Sequence, residues 1–448
     1  MKSRIFTCVT AVTLFAALTA SVRSGAQDLR EHHRPAGYTV VDLGTLGGND
    51  AGGNSINNRG WVTGTSKVTG GQNAHAALWV RGTKTDLGTL GGPNSAVAWP
   101  VKNDHGAIVG ISETAQIDPL GERFSCPSFF LGVPLSHHSC QGFRWHENVM
   151  TPLPTLGGNN SYATAMNNRG QAVGWAENTV HDPTCVAPRQ VLQFRAVIWH
   201  PKGEVEELPP FGADTTSAAT AINDEGQVVG ISGICDRAVG RFSAKHAVLW
   251  EHGTVKDIGN FGGGAWNTSA AINHKGHIAG FSDFPGDSSG AGNFHAFLWT
   301  QEHGIQDLNT LPGDSFSLAF GMNDEGQVVG QSLDANGFSR AFIFENGKMT
   351  DLNDLVPPGS PFLVYANDIN DRGEIAGQAC VVVNAACVST SAVLLIPKHG
   401  RDDNDDEFDS SESNREGNGR RVMLPENLRR QLEQQWGIGL LDGVKQAQ

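Results

Sequence analysis

Residues 217–230 read Ser-Ala-Ala-Thr-Ala-Ile-Asn-Asp-Glu-Gly-Gln-Val-Val-Gly. Small residues lead into Asn223-Asp224-Glu225-Gly226, and an apolar run follows to a second glycine, Gly230. Asn and Gly tolerate the positive φ of tight hairpins, so the stretch predicts strand, turn, strand. The same Asn-x-x-Gly recurs at Asn57, Asn103, Asn167, Asn273, Asn323 and Asn370. The second glycine follows every time, as Gly64, Gly110, Gly174, Gly280, Gly330 and Gly377. Seven copies, spaced 46 to 64 residues apart, exceed chance, and the period is that of a four-stranded propeller blade.

Two further strands complete the unit. A third carries an apolar run ending in an aromatic, His246–Trp250, matched by His75–Trp79, Gln141–Trp145, Arg195–Trp199, His295–Trp299 and Arg340–Phe344, with Ser391–Leu395 in the last copy. A short fourth strand runs into a Gly-rich link, as in Asp86-Leu87-Gly88-Thr89-Leu90-Gly91-Gly92. The first strand, richest in Ala and Ser, belongs at the crowded axis, and the repeated Trp residues belong between blades. The chain enters the repeats out of phase. Tyr38–Gly48 is a fourth strand and link with nothing before it, whereas the seventh unit ends near Ile396 without a fourth strand. The expectation is an all-β, seven-bladed propeller over residues 38–396, closed when the N-terminal strand completes the last blade.

His295-Ala296-Phe297, the near copies His75-Ala76-Ala77 and His246-Ala247-Val248, and the Asp-Leu-Gly-Thr-Leu-Gly-Gly links resemble the extracellular HAF repeat family. Arg195, Arg340, Gln141 and Ser391 depart from it at the histidine. The resemblance implies export and a repeat fold, and no activity.

The flanks agree with export. Residues 1–26 read as a signal peptide: Lys2 and Arg4, an apolar stretch from Val9 to Ala20, then Ser24-Gly25-Ala26 for cleavage. No other apolar stretch is long enough to span a bilayer. A net charge of −14 argues against nucleic acid as partner. Residues 399–423 form an acidic linker of the disordered kind, and 424–442 a short helix with Leu428, Leu432 and Trp436 in one stripe.

Short turns between first and second and between third and fourth strands share one face. The other face receives second-to-third loops of variable length, from about Glu113 to Cys140 in the second unit and Glu177 to Leu192 in the third. Long loops in a compact domain are usually functional, so this face is the expected working surface. The six remaining cysteines fall there, favouring the pairs Cys126–Cys140, Cys185–Cys235 and Cys380–Cys387. Residues that break the repeat are the candidate ligand contacts. Trp99 and Trp266 would stack on a sugar if exposed; His137, His138, His181 and Asp182 sit in the long loops, where solvated side chains are a simpler reading than metal ligands. Glu113, Asp118, Glu122, Asp182, Asp236, Asp283 and Asp287 are acidic residues of that face. A glycosidase needs such a pair of carboxylates in an open cleft. No nucleophile, zinc or phosphate-loop motif appears, so neither metal nor cofactor is expected. These features favour a secreted, monomeric, non-enzymatic propeller that binds extracellular protein or glycan, over a secreted polysaccharide hydrolase or lyase.

Overall fold

The structure, a computed structural model, describes residues 37–130, 132–235, 244–264, 266–286, 293–384, 386–398 and 422–423. The expected signal peptide, the acidic linker up to residue 421, the C-terminal helix, Asp236 and Asp287 lie outside them. Every regular element among the described residues is a strand, apart from the 3₁₀ turns Pro127–Phe129 and Leu352–Leu355. None of their helices is long and apolar enough to cross a membrane.

The second to fifth units each form a separate antiparallel sheet of four strands. In the fourth unit these are Thr216–Ile222, Val228–Gly233, Ala244–Glu251 and Thr254–Asp257. The N-terminal strand Tyr38–Asp42 pairs antiparallel with Ala386–Pro397, from Tyr38 opposite Pro397 to Asp42 opposite Val393. It therefore supplies the fourth strand that the seventh unit lacks. A parallel bridge from Asp50 to Thr390 joins the first unit to the seventh, and Val422–Met423 lies between the sixth and seventh. The protein is an all-β molecule of propeller-like sheets.

The repeat residues have local causes. A register shift interrupts the first strand between Ala219 and Ala221, and equivalent shifts occur in other units. The bulged strand comes so close to its neighbour that a Cβ at Gly230 would fall on the Ala218 carbonyl oxygen; Gly174 and Gly330 face Tyr162 and Leu318 in the same way. The second glycine of each unit is thus a steric necessity. Bulge residue Thr220 turns its hydroxyl to Val229 O and Ser269 O (3.0 and 2.6 Å), tying one unit to the next.

In the turn itself, the glycine takes the positive φ, +86° at Gly226, and the asparagine does not. This corrects the conformational reason for the asparagine: its amide works twice. Asn223 Oδ1 accepts from Gln227 N (3.0 Å), and Asn223 Nδ2 donates to Asn273 O in the next unit (3.0 Å). All seven asparagines bridge this way. The circuit runs 57, 103, 167, 223, 273, 323, 370 and returns to 57, with N···O distances of 2.8 to 3.2 Å.

Apolar side chains fill the gaps between neighbouring sheets. Trp250 is buried with Ile198, Val228 and Val248, and its indole donates to Pro209 O at 2.7 Å. The histidines of the His-Ala-Phe type pair across to the fourth strand, His75 with Asp86, His246 with Asp257 and His295 with Asp307, at 2.8 to 3.0 Å. Arg340 does the same with Asp351 at 3.2 Å. These repeated polar residues are structural.

Candidate functional site

On the Asn-x-x-Gly face, the residue after each turn asparagine lines one recess. They are Asn58, Asp104, Asn168, Asp224, His274, Asp324 and Asp371, with Lys102 deeper and ion-paired to buried Asp368. These side chains form a second circuit: most accept the main-chain N–H of the preceding member, as Asp224 accepts from Asn168 N (2.7 Å) and Asp324 from His274 N (2.9 Å). His274 sits between two carboxylates, Nε2 to Asp224 at 3.0 Å and Nδ1 to Asp324 at 2.7 Å. Burial pulls its pKa down, but the bond to Asp224 and the charges of Asp324 and Asp224 outweigh it, so the pKa is raised. The rim is electronegative, yet its polar groups largely satisfy one another.

The loop face is built differently from expectation. One buried cluster there spans the second to the seventh unit. The second unit's loop lays a strap, Asp118–Phe130, across the third unit; Phe124 stacks on Trp175 with centroids 5.7 Å apart, and Phe129 meets Tyr162 edge-on at 4.8 Å. Trp99 and Trp266 belong to this cluster at 4% and 1% exposure, Trp266 edge-on to Phe281 and Phe294. The expectation that they offer a sugar a stacking surface is therefore corrected: a departure from the repeat here fills the core.

The acidic residues are corrected as well. Glu113, Asp118, Glu122, Asp182 and Asp283 are all buried. Asn94 donates to Glu113 (2.8 Å), and Ser136 also donates to it. Asp182 accepts from Thr184 N and Oγ1 (2.8 and 2.7 Å), and these bonds outweigh burial and lower its pKa. His138 meets Thr114 O through Nδ1 at 2.7 Å, while His137 and His181 are exposed. The four loop residues His137, His138, His181 and Asp182 do not form a common site, and no three His, Cys, Asp or Glu side chains among the described residues are placed to hold a metal ion.

What does converge is a set only partly anticipated: Asp118 and Glu122 on the strap, with Glu177 beneath. Glu122 Oε1 accepts from Val191 N (2.8 Å), Leu192 N (2.7 Å) and Gln190 Nε2 (3.1 Å). The same Gln190 Nε2 donates to Glu177 Oε1 (2.9 Å), whose other oxygen accepts from Asn160 N (2.9 Å). Burial first, and the Glu122 charge second, push Glu177 up to about 8. Burial also raises Glu122, against the bonds from Leu192 and Val191 and with Asp118 adding. Glu177 had a signal: it lies ten residues after Asn167, as Glu113 does after Asn103 and Asp283 after Asn273.

The three expected disulfides are present, with Cα separations of 5.1 Å for Cys126–Cys140, 4.7 Å for Cys185–Cys235 and 5.3 Å for Cys380–Cys387. Around them the second, third and seventh units extend their hairpins, with exposed apolar tips at Ile117, Leu135, Val180, Val186, Val381, Val383 and Val388.

No family model and no curated protein matches the chain. Among solved structures it is similar to virginiamycin B lyase from Staphylococcus aureus, at 10% identity and a TM-score of 0.48, over 80% of this chain and 99% of that one. It is also similar to Pyrococcus horikoshii acylaminoacyl peptidase (11%, TM-score 0.44) and to puromycin hydrolase (14%, TM-score 0.44), over 75% of this chain in each case. The chain spans about half the length of those two. No activity passes from these proteins to this one.

Proposed function

We propose that the chain is an exported, closed seven-bladed propeller of the HAF-repeat kind that serves as a non-enzymatic docking platform for another protein, engaged through its loop face. The observation that carries this reading is the set of extended hairpins in the second, third and seventh units. Each is tied by a disulfide, and each shows water apolar side chains, with Ile117, Val180 and Val381 all more than half exposed. Exposed apolar groups on a pinned frame suit a protein surface, because little order is lost on binding. A glycan would need an exposed ring, and both candidate tryptophans are inside. A hydrolase would need carboxylates in an open cleft, and Glu113, Asp118, Glu122, Glu177, Asp182 and Asp283 are buried. Three disulfides agree with an oxidising compartment; the asparagine circuit that returns to its start supports closure.

The test places a photo-crosslinking residue at Val180 or Val382, and a control at Lys202, in the secreted chain in its native cells. Discrete protein adducts from the first two positions and none from the control are expected. A positive glycan array, or products released from a polysaccharide panel by the purified chain, would replace this reading with glycan recognition or catalysis.

A further inference from the structure

The strap Asp118–Phe130 crosses from one unit to the next, and what fastens it is unusual. Its main chain docks by Arg123 N to Pro188 O (3.1 Å) and Phe124 N to Arg189 O (2.9 Å). Ser125 Oγ donates to Gln190 Oε1 at 2.6 Å. Beside these bonds, two buried carboxyl groups meet on one amide, Gln190 Nε2. Three donors hold Glu122 Oε1, and the Asn159 amide faces the same carboxyl. The charges that act most strongly on the pair are each other and Asp118; the donors around them include the neutral amides of Asn159, Asn160 and Gln190 and the Ser125 hydroxyl.

Two buried carboxylates held by neutral donors do not both ionise cheaply; one proton between them removes the repulsion. We propose that Glu122 and Glu177 form a proton-sharing latch that holds the strap over the aromatic cluster and releases it when that proton is lost to water. Cys126, inside the strap, stays bonded to Cys140, so release is a local lift of Asp118–Ser125 that uncovers Trp175 and Phe194. This inference does not depend on the docking reading, which concerns the hairpin tips.

The sign follows from the protons. Closed, Glu177 holds its proton up to about pH 8; lifted into water, it returns toward its ordinary 4.5. The closed form binds the extra proton between those values, so closure weakens as pH rises through that window and is constant above it.

Hydrogen exchange of the Phe124 amide, corrected for the intrinsic rate, is the test on the full chain. Protection should fall about tenfold per pH unit between roughly pH 5 and 8 and then level off. Glu177→Gln should stay closed and lose the slope. Glu122→Gln keeps an oxygen for Val191 N and Leu192 N and gains a donor toward Glu177, so its break should move below pH 8. It decides the matter if Glu177→Gln does not fold. A flat wild-type profile, or a slope that survives in both variants, would overturn the latch. So would millimolar calcium restoring protection at pH 9, which would make the pair a cation site.

Discussion

The repeat asparagine is a residue whose place is legible from sequence and whose work is not. That Asn223 opens a turn follows from four letters. That its Nδ2 reaches Asn273 O depends on a residue 50 positions away, and no local pattern carries that information. The amide can cap its own turn and bridge to the next unit because it holds a donor and an acceptor on one planar group. Aspartate matches its shape but has no donor. Asn223→Asp would leave Asn273 O with only the Gly276 N–H of its own turn and set a carboxylate against that carbonyl. A loss of about 1–3 kcal/mol in urea unfolding is expected. Asn346 also sits in a turn, at φ +51°, but takes no part in the circuit. Asn346→Asp should change stability by about 0.5 kcal/mol or less. Equal effects would show that turn chemistry, not the bridge, is what the repeat asparagine provides.

At the scale of elements, strands and disulfide partners could be read because period and loop assignment determine them. Exposure could not. The long loops were expected to begin at Glu113 and Glu177, yet those strands continue to Ile117 and His181 before turning. The loop beyond Ile117 folds inward as the strap and buries Asp118 and Glu122 against the third unit, whereas Trp266 is packed on Phe281 and Phe294 of its own unit. Burial of this kind comes from tertiary packing, which one-dimensional spacing does not encode. The disulfides divide by the length they close. Cys185–Cys235 spans 50 residues and links hairpins of neighbouring units; Cys380–Cys387 spans 7 within one hairpin. Chain-entropy reasoning assigns about 4 kcal/mol to the first and about 2.5 to the second. Replacing each pair by serine should reproduce that order in urea midpoints. The smaller loss should nonetheless abolish crosslinking from position 382, since that disulfide fixes the valine tip.

Over the whole molecule, the two ends of the repeat array are complementary. The main chain shows it where Lys398 N donates to Gly37 O at 2.9 Å, beside the five pairs of Tyr38–Asp42 with the last sheet. Tyr38 is fully buried among Val329, Ile343, Leu363, Val393 and Leu395, so the first strand also seals the gap between the sixth and seventh units. Seven repeats could have stacked as an open array with two exposed edges; this strand covers the free edge of Ala386–Pro397. A chain beginning at Leu43, exported behind an unrelated leader, should therefore fail in a specific way. Losing one buried aromatic alone costs about 3–5 kcal/mol, and the freed edge of Ala386–Pro397 is a template for pairing with another copy. The expected result is a lower unfolding midpoint together with concentration-dependent association in sedimentation. A synthetic peptide of residues 37–44, added in trans, should restore both by strand addition. A truncated chain that stays monomeric with an unchanged midpoint would mean that the ring does not close through this strand.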